Sequence, residues 1–124
     1  LDSAVKRAYT KTLEKLSTYL LKTENGEACF NSNDIVYFES RGHYVWLHNK
    51  QKDDIKVPYT LEKLEGVLRM DIFVRCHSGI ILNCEYIYSI NKECIVLTNQ
   101  EEIVMSRHRK NAVKETFQKY LRSL

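Results

Sequence analysis

The 124 residues predict a mainly β domain of short antiparallel strands, with one short helix inserted among them and a helix at each end. Three observations carry that reading. From Asp34 to Met105 the chain runs in short stretches rich in β-branched and aromatic residues, separated by Gly, Asn or charged turn residues. Apolar residues at spacings of three and four occur only near Leu61 and at the two ends. A single Pro, four Gly and a hydrophobic content of 44% leave no linker or low-complexity tract, so the chain should bury one core.

The elements follow in order. Ala4, Val5, Ala8, Tyr9, Leu13, Leu16, Tyr19 and Leu20 line one face of an amphipathic helix over Ala4–Leu21. It fades by Thr23, and Asn25-Gly26 signals a turn or helix stop, which divides the chain into residues 1–23 and 24–124. Asp34–Ser40 and His43–Asn49 read as a hairpin about a turn at Arg41-Gly42. Asp54–Pro58 is a shorter strand whose Pro suits an edge. Leu61, Leu64, Val67 and Leu68 then define a helix with Thr60 as its cap and Glu62 in its first turn, ending near Met70. Strands follow at Phe73–His77, Ile80–Asn83, Tyr86–Ile90, Cys94–Thr98 and Glu102–Met105. Turns at Asn91-Lys92 and Asn99-Gln100 make the last three a meander. A final amphipathic helix carries Val113, Phe117, Tyr120, Leu121 and Leu124.

Composition excludes some classes of function. The longest apolar runs, such as Ile80-Ile81-Leu82, are too short to span a bilayer, and no signal segment opens the chain, so a cytoplasmic location is expected. The chain starts at Leu1 rather than Met, which leads us to expect a longer polypeptide upstream. Net charge is only +3, but from Ser106 onward Arg107, Arg109, Lys110, Lys114, Lys119 and Arg122 stand against the single Glu115. Cys29, Cys76, Cys84 and Cys94 have no pair at zinc-knuckle or redox spacing and read as reduced structural residues.

Three polar clusters interrupt the apolar framework at strand ends: Arg41-Gly42-His43, Arg75-Cys76-His77-Ser78-Gly79 and Ser106-Arg107-His108-Arg109-Lys110. His43 and His48 lie five apart, on opposite faces of one strand, and Cys76 and His77 diverge as neighbours, so no metal site or catalytic pair is expected. Asp53-Asp54 and Glu101-Glu102 fall in expected turns beside Lys or amide residues, poorly placed to assist a catalytic His. No enzyme activity, metal or organic cofactor is therefore expected. Arg and His on short turns do suit DNA: the Arg fork fits guanine O6 and N7 or a phosphate, and Lys adds sequence-neutral phosphate contacts.

Read in order, Asp34 to Lys110 resembles the LytTR family, the β-rich output domains of bacterial response regulators. "DIVYFES" followed by a hairpin matches its first strands, and "LEKLEGVL" its inserted helix. "FVRCHSGIILN", Phe73 to Asn83, is close to the family's F-x-R-x-H-x-S-hydrophobic-hydrophobic-x-N run, and "MSRHRK" to its terminal Ser-Arg turn. The family usually has a long polar residue where Ser78 stands and Ser where Gly79 stands, so a weaker middle contact is expected here.

The resemblance implies an elongated array of short antiparallel sheets whose rim loops enter successive grooves of double-stranded DNA. It places His43, Arg107, His108 and Arg109 on bases. Arg41, Tyr44, His77, Ser78, Lys110 and Asn111 would meet the backbone, while Phe73, Arg75, Asn83 and Ser106 are signature residues with a structural part. The "RCH" and "SRHRK" strings are most similar to quorum-sensing and virulence regulators of the accessory gene regulator type. That implies a receiver domain upstream, promoter direct repeats as targets, and dimers only in the full-length protein or on DNA. Residues 1–23 would then be a helical linker, or else an ordinary packing helix. Two other readings stand beside this one: a protein-interaction module without specific DNA readout, and redox control through Cys76, whose neighbours Arg75 and His77 would lower its pKa.

Overall fold

The computed structural model describes residues 17–124, and these form three antiparallel sheets and two α-helices. Strands β1 (Thr18–Thr23) and β2 (Gly26–Asn31) pair as a hairpin. Five strands follow in the central sheet: β3 (Ile35–Arg41), β4 (Tyr44–Asn49), β5 (Asp54–Val57), β6 (Phe73–His77) and β7 (Ile80–Asn83), in the order β5-β4-β3-β7-β6. Helix α1 (Leu61–Val67) links β5 to β6. The last sheet is a meander of β8 (Ile87–Ile90), β9 (Cys94–Leu97) and β10 (Glu102–Val104), and α2 (Lys110–Arg122) closes the chain.

The central sheet is covered on both faces, which explains its unusually apolar strands. Phe38, Val45, Leu47, Phe73 and Ile81 face a core shared with Tyr19, Leu21 and Phe30 of the first hairpin and with Leu61 and Leu64 of α1. Tyr37, Val74, Cys76, Ile80 and Leu82 face a second core, completed by Ile95, Leu97, Ile103, Val113 and Tyr120. Ile80, Ile81 and Leu82 alternate between the two cores, as side chains on a pleated strand must. A register shift between Ile35 and Tyr37 breaks that alternation in β3, so that Val36 and Tyr37 both serve the second core.

Most of the expected elements form within a residue or two, and the differences have physical causes. Of the helix expected over Ala4–Leu21, residues 4–16 lie outside the described residues. Its end is a strand: Tyr19 and Leu21 are buried and Leu20 is exposed, a period of two that the three-and-four spacing of Leu16, Tyr19 and Leu20 had masked. Its partner β2 was not anticipated, and the division expected after residue 23 falls between the two paired strands. Helix α1 stops at Val67, three residues early, while Thr60 caps it by accepting from the Lys63 amide at 3.1 Å. In α2, Val113 and Tyr120 are buried, but Leu121 and Leu124, expected on the same face, are exposed.

Candidate nucleic-acid interface

The first polar cluster forms the tip of the β3–β4 hairpin. Arg41 pairs with Tyr44, leaving Gly42 and His43 as a two-residue turn, one position later than the pattern indicated. Gly42 sits at φ +63°, the left-handed conformation that the first central position of such a hairpin turn requires and that glycine adopts without strain. The shift takes His43 off the strand and onto the exposed tip, with Tyr44 exposed beside it.

The second cluster is a braced loop. Arg75, whose side chain is only 11% exposed, donates from Nε to the His77 carbonyl at 3.1 Å and from a terminal nitrogen to the Ser78 carbonyl. Its other bonds reach Glu65 at 3.0 Å and Glu62 at 3.2 Å, both on α1. The guanidinium therefore fastens the loop to the helix. The Gly79 amide donates to His77 Nδ1 at 3.0 Å, so one imidazole nitrogen holds the loop and the Ser78 side chain is left facing solvent.

The third cluster is a 3-10 turn over Arg107–Arg109 that leads into α2. Ser106 precedes it, donating its amide to the Cys76 carbonyl at 2.9 Å and accepting from the Arg109 amide at 3.0 Å. Arg107 is 84% exposed and pairs with Glu93, in the β8–β9 turn, at 2.8 Å. His108 and Asn111 are exposed, and Lys110 is half-buried. Arg109 is half-buried, its Nε enclosed without a hydrogen-bond partner among the described residues.

Hydrogen bonds tie the three clusters into one rim. The Ser40 amide, at the base of the first hairpin, donates to the Gly79 carbonyl of the middle loop at 2.8 Å. The Ser106 amide joins the third turn to β6 just before that loop. Because β3 and β6 both run antiparallel to β7, their C-terminal ends lie at the same end of the sheet. Phe73 and Asn83 anchor the other end of the β6–β7 pair, Phe73 fully buried against Tyr19 and Phe38, Asn83 fully buried and hydrogen-bonded.

Some partners were not visible in the chain order. Arg41, expected at a phosphate, is engaged by Glu39 at 3.2 Å and Asp54 at 3.1 Å. Asp54 opens β5, the strand expected from Asp54 onward, and with Glu39 it flanks His48, so one of the acidic residues judged poorly placed for a His is in contact with one. Strand register creates that contact, and no local motif announces it. Among the described residues no three His, Cys, Asp or Glu side chains are grouped so as to hold a metal ion. No described helix is long and apolar enough to cross a membrane. Cys76 is the reduced core residue that its apolar surroundings indicated, and the alternative of redox control is overturned. It is fully buried, and burial pushes its thiol up to about 12 despite the nearby Arg109 and Arg75, the opposite of an activated thiol.

This geometry defines a class: a β-rich domain presenting Arg, His and Lys donors on loops at one sheet rim. The family model for the LytTr DNA-binding domain matches residues 26–118. Among solved structures, the LytTr DNA-binding domain of a methyl-accepting/DNA response regulator from Bacillus cereus is similar in fold, with a TM-score of 0.66 at 24% identity, covering 85% of this chain and 96% of that one. No curated protein matches the chain. With the family model spanning most of its length, the chain belongs to the LytTR family of DNA-binding domains.

Proposed function

We propose that this domain reads specific sequences in double-stranded DNA as the output module of a two-component transcriptional regulator. The single observation that carries the reading is the rim itself, where hydrogen bonds from Ser40 to Gly79 and from Ser106 to Cys76 hold three donor-rich turns in a row. In this reading His43, Arg107, His108 and Arg109 meet base edges, where paired donors discriminate between bases. Tyr44, His77, Ser78, Lys110 and Asn111 meet the backbone and set the register without reading sequence. The similar Bacillus cereus domain is part of a response regulator, which supports placing a signalling domain upstream. In this reading the full regulator pairs its output domains on promoter direct repeats.

The test begins with selection of a preferred site from random duplexes. Arg107→Ala and His43→Ala should then weaken the selected site by about 1–3 kcal/mol more than random DNA, whereas Lys110→Ala should weaken both alike and flatten the salt dependence. Equal losses on both duplexes for every variant would refute sequence readout. Binding indifferent to salt would instead favour a protein-interaction module.

A further inference from the structure

At the base of the His43 hairpin, two carboxylates, a guanidinium and an imidazole close into a ring. Glu39 and Arg41 stand two residues apart on β3 and share one face of the strand. On that face the register sets His48 of β4 opposite Tyr37, and Asp54 of β5 opposite His48. Glu39 Oε1 lies 3.2 Å from Arg41 Nε and 2.9 Å from His48 Nε2. Asp54 meets an Arg41 terminal nitrogen at 3.1 Å with one oxygen and His48 Nδ1 at 2.8 Å with the other. The Tyr37 ring stacks on His48 at 4.1 Å, and the Arg41 guanidinium lies 4.8 Å over Trp46.

Each member of the ring is held by two others, and two aromatic rings floor it. A pair of exposed ions alone would restrain Arg41 little, because solvent screens such pairs. Here two carboxylates converge on one guanidinium from different strands, a ring nitrogen of His48 lies against each carboxylate, and the indole covers a face of the cation. A phosphate approaching the hairpin meets a cation whose charge is already offset by two anions.

We propose that Glu39 and Asp54, with His48 holding them in place, are positioning residues that withhold Arg41 from the DNA backbone. The inference rests on the DNA-binding reading above. Its consequence is that the hairpin contributes through His43 and Tyr44, while the sequence-neutral, charge-driven part of binding is kept low. A free arginine at this position would strengthen the grip on every sequence alike and lengthen the time spent on unspecific DNA.

Salt titration of binding to a random-sequence duplex tests this directly. Arg41→Ala in the otherwise unaltered domain should leave the slope of log K against log salt unchanged. Glu39→Gln combined with Asp54→Asn frees the guanidinium, and the slope should steepen by about 0.9, so that the loss between about 50 and 200 mM salt grows roughly 3.5-fold. Adding Arg41→Ala to that pair should remove the steepening. Asp54→Asn alone, an exposed and nearly isosteric change, gives a smaller shift of the same sign and covers the case in which the double variant folds poorly. Flattening by Arg41→Ala in the unaltered domain would show Arg41 already on a phosphate and overturn the proposal. Steepening that survives Arg41→Ala would reduce the effect to net charge and overturn it as well. A domain that binds no duplex even at low salt would instead refute the DNA-binding reading.

Discussion

Asn83 gives the most exacting test of how the rim is supported. Its side chain is fully buried and makes three hydrogen bonds inside the protein: Nδ2 donates to the Ser32 carbonyl at 2.9 Å and to the Ile35 carbonyl at 2.8 Å, and Oδ1 accepts from the Glu85 amide at 2.9 Å. It thereby joins the end of β7 to the start of β3 and to the 3-10 turn over Cys84–Tyr86. In Asn83→Ala the Ser32 carbonyl keeps the Ile35 amide as a partner, but the Ile35 carbonyl and Glu85 amide each lose a bond. Each such loss costs about 1–3 kcal/mol, so a destabilisation of about 3 kcal/mol is expected. For a domain of this size that lowers Tm by roughly 12 °C, measurable by thermal melting followed by circular dichroism. Asn83→Asp separates donation from space filling. The aspartate has the same shape and keeps an acceptor for Glu85, yet turns an oxygen toward two carbonyl oxygens, so it should be no more stable than the alanine variant. An aspartate variant melting within a few degrees of the unaltered domain would refute the argument that the two donated bonds hold the strands together.

Further predictions concern the loops, the caps and the thiols. Arg75→Lys keeps the charge but loses the fork that spans the His77 and Ser78 carbonyls and the two α1 glutamates, so amide exchange at Gly79 should accelerate while the β3 amides stay protected; unchanged exchange would mean the loop needs no brace. Thr60→Ala removes the α1 cap and should cost about 1 kcal/mol in denaturant unfolding, with Thr60→Ser recovering most of it. Thiol reagents at neutral pH should modify exposed Cys29 first and leave Cys76 and Cys84 untouched until the domain unfolds. Burial raises both of those thiols from 9.0 to about 12, and the Tyr86 and Tyr120 phenols from 10.0 to about 12. The folded state thus favours their neutral forms, and this contribution is complete below about pH 9 and lost as pH rises toward 12. Tm should therefore hold between pH 7 and 9 and fall above it, and a Tm constant up to pH 12 would contradict the burial of these groups.

What the sequence by itself determined is local and periodic. Alternation and β-branching located β3 to β10, Thr60 and Glu62 marked the start of α1, and the Phe73, Arg75, His77 and Asn83 spacing with the Ser106 turn pointed to the LytTR family. These are properties of neighbours along the chain, so the chain displays them. What only the tertiary structure decided involves partners chosen across strands. Residues 18–21 carry apolar side chains compatible with either period, and pairing with β2 selected the strand. The sequence left a core thiol and an activated one both open for Cys76 beside Arg75 and His77; the second core enclosed it, and desolvation outweighed both nearby arginines. Arg41 looked free until β4 and β5 brought His48 and Asp54 beside Glu39, since the register between strands, which no single segment encodes, sets which charges meet.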